Sequence, residues 1–424
     1  MSEQAIKSLL VGGAVRDHLL GLPTKDRDFV VVGSTVEQML SLGFLQVGKD
    51  FPVFLHPESR DEYALARTER KTAPGYHGFE VCADPGVTLE QDLERRDLTI
   101  NAMAMDDRGQ LIDPFGGHQD LKHRVLRHVS PAFAEDPLRI LRVARFAARY
   151  DHLGFKVDPT TVDLMRSMVN AGEVDALVPE RVWSEIERAM AEPAPEAFVQ
   201  VLRQCGALAV LLPEVEALYG VPQPAQYHPE IDTGLHTELA LQQIAKLAPG
   251  DAQSAFAVLL HDVGKALTPA EKLPSHVLHE QRGIPLVMAI CQRLKAPNAF
   301  RRLARLVCGN HLRVHQASNF KAKPLYRLLQ DADAFRQGER FERFLLACEA
   351  DARGRTGLED RPYTGPDRLR IALRAAKAVS LADLGQSGLS GDQRKMEVNR
   401  RRIKAIATAL SVETGSESSS EQAG

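Results

Sequence analysis

Hydrophobic and polar positions change their pattern once along the chain, at about residue 130. Before that point, short apolar or alternating runs typical of strands are interleaved with segments of helical period. Strands are predicted at 8–12, 28–32, 44–47, 52–56 and 62–66, and helices at 15–21, 35–42 and 89–105. From about residue 133 the strand signal disappears and apolar residues recur at helical spacing. The pattern predicts an α+β fold, in which a small mixed β-sheet flanked by helices is followed by an all-α remainder.

The length of 424 residues exceeds what one hydrophobic core serves, so we expect several domains. Two proline-rich breaks interrupt the helical part, one at Pro193 and Pro195 and the other within 221–234. The last fourteen residues are rich in Ser, Glu and Gly and poor in apolar side chains, which predicts disorder. The predicted divisions are a head at 1–132, a helical neck and body at 133–230, a third domain at 231–334, a helical tail at 335–410 and a disordered end at 411–424.

Composition indicates the cellular compartment of the protein but does not identify its reaction. The net charge is −3, so binding of a polyanion has to come from local basic patches. The five cysteines are scattered without a Cys-x-x-Cys pair, which argues for a reducing compartment and against a zinc–thiolate site. No apolar stretch is long enough to span a bilayer, and the first residues do not resemble a signal peptide. We therefore expect a cytoplasmic protein that does not contact membranes.

Two carboxylates separated by one residue, Asp26 and Asp28, lead directly into an apolar run. In a strand such residues point to the same face, where they repel each other unless a cation lies between them. Mg²⁺ prefers one or two carboxylates completed by substrate phosphates. The Gly12-Gly13 turn just upstream brings backbone N–H groups close to a polyphosphate, with Arg16 as a charged clamp. The combination predicts a site for a nucleotide and a metal ion.

A second polar group precedes an apolar run at residues 95–101. Here Arg96 and Asn101 are candidates to contact a triphosphate and a sugar, and Asp97 to hold Arg96 in place. A surface ion pair at the start of a helix is the alternative interpretation.

A stripe of arginines follows in a predicted helix. Asp136 stands before a proline, as expected at a helix start. Arg139, Arg142, Arg145 and Arg149 then recur at spacings of three, three and four, which places them on one face. Unpaired guanidiniums in a row repel one another, so the pattern favours a bound polyanion. A solvated helix face remains the alternative.

The third group begins where an apolar helix ends in His261-Asp262, with His236 upstream. Imidazole and carboxylate together suit Ni²⁺, Mn²⁺ or Fe, and the pattern resembles the HD phosphohydrolase superfamily. Asp351 is the less secure candidate for a fourth ligand, and a buried structural His–Asp pair is the alternative. Further histidines are either extra ligands or surface residues: His276, His279, His311 and His315.

The order of these motifs resembles the class II tRNA nucleotidyltransferases, the bacterial CCA-adding enzymes of the DNA polymerase β-like superfamily. The motifs are Gly12-Gly13-x-x-Arg16-Asp17, Asp26-x-Asp28, Arg95-Arg96-Asp97-x-x-x-Asn101 and Glu135-Asp136-x-x-Arg139-x-x-Arg142. They cover residues 8 to about 150, and the HD-carrying subset of the family resembles the chain to about residue 410.

This resemblance implies addition of C, C and A to tRNA 3′ ends from CTP and ATP, with Mg²⁺ and without a nucleic-acid template. Carried over by position, the resemblance implies that Asp26 and Asp28 hold Mg²⁺ and that Gly13, Arg16 and Arg96 bind the nucleotide. It also implies that Asp136 and Arg139 act as a template for the base. Arg142 and Arg145 would then support the base and the phosphate. Glu62 is a candidate for the third carboxylate usual in the superfamily.

For the HD subset the resemblance implies 2′,3′-cyclic phosphodiesterase, 2′-nucleotidase and phosphatase activities. It implies that His236, His261, Asp262 and, less securely, Asp351 hold Ni²⁺ or another divalent metal. The oligomeric state stays open, a homodimer included.

Two alternatives remain at this stage. A bacterial poly(A) polymerase shares the head motifs, but such enzymes usually carry basic extensions and lack the HD pattern. A non-catalytic sensor of RNA or nucleotides predicts loss of at least one key residue, yet Asp26, Asp28, His261 and Asp262 are all present.

Overall fold

The computed structural model describes residues 6–24, 26–47, 53–71, 79–385 and 389–420. The chain divides into two compact units, residues 1–211 and residues 212–424, called here the first and second units.

The first unit is mixed, as the sequence predicts. Its strands in the described residues are β1 Lys7–Val11, β2 Asp28–Val32, β3 Leu45–Gln46, β4 Val53–Leu55, β5 Glu62–Leu65, β6 Thr68–Lys71, β7 Phe79–Cys82, β8 Ala104–Met105, β9 Leu111–Ile112, β10 Val125–Leu126 and β11 Lys156–Val157. Its helices are α1 Gly13–Leu19, α2 Val36–Ser41, α3 Leu89–Glu94, α4 Gly117–His123, α5 Leu138–Tyr150, α6 Pro159–Asn170, α7 Pro179–Met190, α8 Pro195–Gln204 and α9 Ala207–Leu211.

One sheet carries the head, with strands in the order β3-β4-β5-β2-β1-β8-β9. The central strand β2 runs antiparallel to β1 and parallel to β5. Its first residue, Asp28, lies opposite Val11 at the end of β1 and opposite Glu62 at the start of β5. The strand pairing therefore brings the Gly12-Gly13 turn and two carboxylates to one edge of the sheet.

Both faces of the central strand are covered by apolar side chains. Val30 packs with Leu9 and Val11 on one face, whereas Val31 packs with Met39 and Phe54 on the other. A strand buried on both sides reads as a continuous apolar run, which is the pattern at residues 29–32.

The helix predicted over 89–105 is wrong in its second half. Helix α3 begins with a capping box at Thr88 and ends at Glu94; a short 3₁₀ turn over Thr99–Asn101 and strand β8 follow. The residues from Leu98 to Ala104 are apolar or buried on every side, so they carry no amphipathic helical stripe. Leu98 is instead extended and bridges His128 in a short strand contact.

Helices dominate the rest of the first unit, as predicted. Helix α5 packs against α7 and α8, and its apolar residues are almost all buried. One exception to the predicted loss of strands is β11, which pairs in parallel with β10.

Within its described residues, the second unit is built from helices and contains no β-strand of two or more residues. They are α10 Pro213–Glu216, α11 Thr233–Leu247, α12 Ala252–Leu259, α13 His279–Arg293, α14 Asn298–His315, α15 Ala322–Asp331, α16 Gly338–Arg353, α17 Gly365–Lys377 and α18 Gly391–Ser420. None of the helices in the described ranges has the length and hydropathy needed to cross a bilayer.

The division between the two units, at 211/212, lies apart from the predicted domain boundaries. The segment from residue 212 belongs to the second unit, and hydrogen bonds tie it to the start of α11: Thr233 N–H donates to Val221 O, and Gly220 N–H donates to the Asp232 carboxylate. The predicted division at 334/335 falls inside that unit. Helix α18 runs to Ser420 through part of the segment for which disorder is predicted, and residues 421–424 lie outside the described residues.

Candidate active sites

A cleft of about 740 Å³ opens at the edge of the sheet in the first unit. Its lining includes all the residues to which the resemblance assigns a metal or nucleotide role in the first unit: Gly13, Arg16, Asp26, Asp28, Arg96, Asp136, Arg139, Arg142 and Arg145. Glu62 lines the same cleft. This size lies within the range of pockets that bind small molecules.

Three carboxylates form the acidic wall of the cleft. Asp28 is the first residue of β2, and Glu62 lies opposite it. Asp26 lies just before the strand, whereas both aspartates were expected to lie within it. Partial burial raises the pKa of Asp28; the positive charge of Arg96 opposes the rise, and the negative charge of Asp26 adds to it. A divalent cation would offset both the cost of burying the negative charge and the repulsion between the carboxylates. The donor set fits Mg²⁺.

The glycine turn approaches the basic wall closely. Gly12 has a φ of 66°, a left-handed conformation that glycine adopts at low cost. A Cβ atom at this position would lie 2.7 Å from Nη1 of Arg96. The turn therefore needs glycine for its conformation and for space.

Arg16 is held in a buried network. Its Nε lies 2.8 Å from Asp17, it donates a hydrogen bond to Asn101, and its guanidinium lies over the rings of Phe146 and Tyr150. Only 3% of Arg16 is exposed. This arginine is thus a fixed positive charge at the cleft rather than a mobile clamp.

The arginines of α5 are paired, which contradicts the expectation of an unpaired stripe. Arg142 lies 2.7 Å from Asp97, Arg145 lies 2.6 Å from Glu185, and Arg149 lies 3.0 Å from Asp17. Arg139 donates to the backbone carbonyls of Ala132 and Arg95. All these partners except Ala132 are distant in sequence, so local spacing gives no sign of them.

Asp97 and Arg96 do not pair as predicted. Asp97 accepts hydrogen bonds from Asn101 and Arg142, whereas Arg96 lies 3.1 Å from Asp92. Burial would raise the pKa of Asp97, but Arg142 and Asn101 hold it well below its usual range. Sequence reasoning missed Asp92, although its spacing of three and four to Arg95 and Arg96 is the usual signal of helical ion pairs.

Asp136 joins two elements beside the cleft. One carboxylate oxygen accepts from the backbone N–H of Leu138 at the start of α5, and the other lies 2.9 Å from Arg181 on α7. Arg181 also lines the cleft and carried no signal in the sequence.

The second unit brings the HD residues into one buried cluster. His236 comes from α11, His261 and Asp262 follow α12, and Asp351 comes from α16. Nε2 of His236 lies 3.1 Å from Oδ1 of Asp351, and Nε2 of His261 lies 3.2 Å from Oδ2 of Asp262. The structure therefore brings together all four residues that the sequence nominates as metal ligands.

The four further histidines differ in whether they contact the cluster. His279 and His311 are buried beside Asp262. His315 forms a hydrogen bond with Tyr363 and lies 2.7 Å from Asp351. His276 instead contacts Thr268 and the backbone of Pro222. His276 therefore stands outside the cluster.

The cluster has the donors that a divalent metal requires. Nε2 of His261 and both oxygens of Asp262 are buried without a hydrogen bond, although Lys265 Nζ lies 2.6 Å from Oδ2 in an ion-pair contact. Burial would lower the pKa of His261, but the charges of Asp262 and Asp351 raise it to about 9. The field that holds a proton there equally favours a metal cation.

One family model matches within the first unit, and a second begins there and extends to residue 219 in the second unit. The model described as the poly A polymerase head domain covers residues 8–127, and the model described as a probable RNA and SrmB-binding site of polymerase A covers residues 154–219. With the acidic cleft at the sheet edge, the first match defines residues 8–127 as a nucleotidyltransferase head.

Close relatives give the family. The multifunctional CCA protein of Thioalkalivibrio sulfidiphilus is 62% identical over 95% of this chain and 98% of its own length. That of Nitrosococcus oceani is 58% identical over 96% of this chain and 99% of its own length. The chain belongs to the family of bacterial multifunctional CCA proteins, which are CCA-adding nucleotidyltransferases.

Solved structures share the fold at lower identity. A CCA-adding enzyme in an apo form matches with a TM-score of 0.66 at 23% identity, covering 96% of this chain and 92% of the other. A CCA-adding enzyme complexed with ATP matches at 0.65 and 22%, covering 95% and 86%. The Thermotoga maritima enzyme complexed with tRNA matches at 0.63 and 21%, covering 96% and 91%.

Proposed function

We propose that the first unit adds the 3′-terminal CCA of tRNA from CTP and ATP, without a nucleic-acid template. The observation that carries this proposal is the cleft where Asp26, Asp28 and Glu62 face an arginine-rich wall. Acids bind the metal and basic groups bind the triphosphate, so the cleft has both halves of a nucleotidyl-transfer site. Relatives named multifunctional CCA proteins, and similar folds solved with ATP, CTP and tRNA, support the same substrates.

In this mechanism Asp26 and Asp28 hold Mg²⁺, with Glu62 as the third carboxylate. When bound, Mg²⁺ supplies activation of the tRNA 3′-hydroxyl and charge stabilisation for the departing pyrophosphate. The Gly12-Gly13 turn accommodates the triphosphate closely, and Arg16 and Arg96 neutralise its charge.

Selection of C and A falls to the start of α5. Asp136 accepts a hydrogen bond from the exocyclic amine of either base, and Arg139 donates to its ring acceptors. U and G do not present that amine in the same place. In the structure both side chains already have partners, namely Arg181 for Asp136 and two backbone carbonyls for Arg139. Reading a base therefore exchanges these contacts for contacts with the nucleotide, with Arg142 and Arg145 packed behind.

The test uses tRNA that lacks CCA, incubated with each labelled triphosphate alone and then with CTP plus ATP. Two C additions with CTP alone, and completion only when ATP is also present, are expected. A long adenosine tail made with ATP alone would instead indicate a poly(A) polymerase. Failure to incorporate any nucleotide by a folded protein would favour the non-catalytic sensor.

We further propose that the second unit is a metal-dependent phosphohydrolase acting on 2′,3′-cyclic phosphates, 2′-nucleotides and phosphate monoesters. Its support is the buried group of His236, His261, Asp262 and Asp351, whose free donor atoms suit Ni²⁺ or a similar metal. The metal would supply an activated water for attack on phosphorus. The chain's own residues position that metal and exclude other water.

The test measures release of 2′-phosphomonoester from a 2′,3′-cyclic nucleotide with Ni²⁺. Hydrolysis by the full-length protein is expected, and it should be lost in His261→Ala. Equal hydrolysis by the variant would place the activity outside this cluster. Exposed His152 offers the control, since His152→Ala should leave the rate unchanged.

A further inference from the structure

We propose that the second unit carries a separate binding pocket for a nucleoside polyphosphate, lined mainly by α13, α14 and α16. The pocket has a volume of about 620 Å³, within the range of sites that enclose small molecules. Four arginines line it: Arg301, Arg302 and Arg305 from α14, and Arg340 from α16. None of the described residues of the histidine–aspartate cluster lines this pocket. The pocket is therefore independent of both activities proposed above.

The arginines from α14 give the pocket a positive charge that the protein itself does not neutralise. Arg302 and Arg305 are exposed and make no ion pair within the part of the chain that the structure describes. Arg301 donates a hydrogen bond to the side chain of Asn298, which is neutral. Like charges that line one pocket repel each other, and a bound anion would remove that repulsion.

Two acidic residues at the pocket are already paired with arginines outside its lining. Asp331, which lines the pocket, lies 2.6 Å from Arg313. Asp333 lies 2.7 Å from Arg336 and 3.5 Å from Arg340, so Arg340 shares this partner with a second arginine. A phosphate group would therefore supply counter-charge that these carboxylates do not.

The location of these arginines in α14 also favours an anion. The helix begins at Asn298 with no acidic residue in its first turn and no side-chain cap. The N-terminal end of a helix carries a partial positive charge, which disfavours cations beside it. Arg301 and Arg302 nevertheless follow directly after this first turn. A bound anion would interact favourably with both the helix end and the guanidiniums.

Part of the pocket lining is apolar, which favours a nucleoside over a bare phosphate. Ile284 and Met288 lie one turn apart on α13 and are half-buried, and Leu306 on α14 is buried. Gly309 lines the same pocket, and a Cβ atom there would lie 3.1 Å from Cδ1 of Ile284. A planar base can pack against aliphatic and thioether side chains, while guanidiniums bind the phosphates in bidentate pairs.

The lining favours a free nucleotide over a strand of RNA. Proteins that bind single strands combine a basic groove along the backbone with aromatic side chains on which successive bases stack. None of the described residues that line this pocket is aromatic. Four arginines around one recess instead suit the several charges that a polyphosphate carries on neighbouring phosphates.

The test photolabels the full-length protein with an azido-adenine analogue of ATP and locates the labelled residues by mass spectrometry. Label is expected between residues 284 and 310, separate from any label in the first unit, and ATP should remove it at lower concentrations than inorganic triphosphate does. Absence of label there would overturn the pocket. Equal competition by inorganic triphosphate would overturn the nucleoside assignment. Competition by tRNA but not by ATP would indicate an RNA contact and overturn the assignment to a free nucleotide.

Variants connect the label to the arginines. Arg302→Gln combined with Arg305→Gln should reduce labelling by about tenfold or more, because charged hydrogen bonds to phosphate are lost. The corresponding Lys pair keeps the charge but loses bidentate geometry, so its labelling should fall less. Arg374→Gln combined with Lys377→Gln removes two exposed charges on α17 and should leave labelling unchanged. Equal labelling in the Gln pair and in this control would overturn the assignment. If a variant fails to melt as a folded protein, the label position and competition in the parent still decide.

Discussion

Individual residues of the head act through partners that restrain their charge and position. Asp97 links Asn101 on the 3₁₀ turn to Arg142 on α5, and Asp17 links Arg16 to Arg149 and Tyr150. Each carboxylate is buried and pairs with more than one group. Buried ion pairs add little net stability, but removal of one partner leaves an uncompensated charge. These acids therefore fix where the arginines of the cleft stand.

Acid should destabilise the first unit through Asp97. Because its pKa lies below that of an unfolded aspartate, its contribution is full above about pH 4–5 and is lost as the pH falls through that window and below. We expect Asp97→Asn to cost about 2–3 kcal/mol at neutral pH and to flatten the decline in stability between pH 5 and pH 3. Urea unfolding followed by the single tryptophan, Trp183, measures this in the first unit.

Asp163→Asn is the matched control, since Asp163 pairs with Arg166 on the surface of the same unit. Its unfolding free energy should stay within about 0.5 kcal/mol of the parent. An equal acid dependence in the parent and in Asp97→Asn would contradict the role given to Asp97.

Gly12→Ala should impair catalysis through Arg96. The new methyl group would lie 2.7 Å from Nη1 of Arg96 and displace it from the cleft. We expect kcat/KM for CMP incorporation to fall about tenfold or more, which corresponds to about 1.4 kcal/mol. Steady-state kinetics with tRNA lacking CCA measure the loss.

Gly21→Ala separates this effect from backbone strain. Gly21 has nearly the same φ, 67°, but nothing lies within 4 Å of its Cβ position. Its variant also places a side chain at positive φ, and it should retain most of the activity. Equal kinetic losses in both variants would show that conformation, and not contact with Arg96, requires glycine at position 12.

At the scale of the element, α5 combines the core and the active site in one helix. Its apolar residues, such as Ile140 and Leu141, are fully buried, while its arginines line the cleft. Packing against α7 and α8 fixes the position of this helix, and therefore the positions of Arg139 and Arg142. The base-reading role proposed for Asp136 and Arg139 requires this kind of rigid support.

Leu141→Ala should lower the unfolding free energy of the first unit by about 2–5 kcal/mol, because it leaves a cavity in the core. Leu40→Ala on α2 is the matched control, since 49% of Leu40 is exposed and its loss should cost less than about 1 kcal/mol. Urea unfolding followed by Trp183 distinguishes the two. Similar midpoints for both variants would contradict the packing role of α5.

Arg139→Ala should change which nucleotide is added more than how tightly triphosphates bind. The side chain donates to backbone carbonyls in the structure and to the base in the proposed mechanism. We expect the ratio of kcat/KM for CTP over UTP to fall about tenfold. Competition between the four labelled triphosphates measures it, with Arg166→Ala as a surface control. An unchanged preference would remove Arg139 from the template.

At the scale of the whole molecule, each unit has its own candidate chemistry. The acidic cleft lies within the first unit, and the histidine–aspartate cluster lies within the second. Sites built from separate sets of side chains lose function separately, because mutations that share no partners act additively. The two proposed activities together define a repair role, in which the second unit would hydrolyse phosphate-blocked ends and the first would rebuild CCA.

Asp28→Ala should therefore abolish incorporation of both CMP and AMP while leaving hydrolysis of a 2′,3′-cyclic nucleotide within about twofold of the parent. His261→Ala should do the reverse. Both activities are measured on the same preparation, after circular dichroism has shown that each variant is folded. Loss of both activities in either folded variant would contradict two independent sites.

The sequence by itself determined what depends on local spacing. Alternation and apolar runs located the strands around Asp28, the helical period located α5, and the apolar helix before His261-Asp262 located two residues of the histidine–aspartate cluster, because these signals repeat within a few residues. Only the tertiary structure decided the partners. Pairs such as Arg145 with Glu185, and His279 with His311, join residues many positions apart, and no local pattern encodes their contact. Local periodicity sets which face a side chain occupies, whereas the packing of distant segments sets what it meets there.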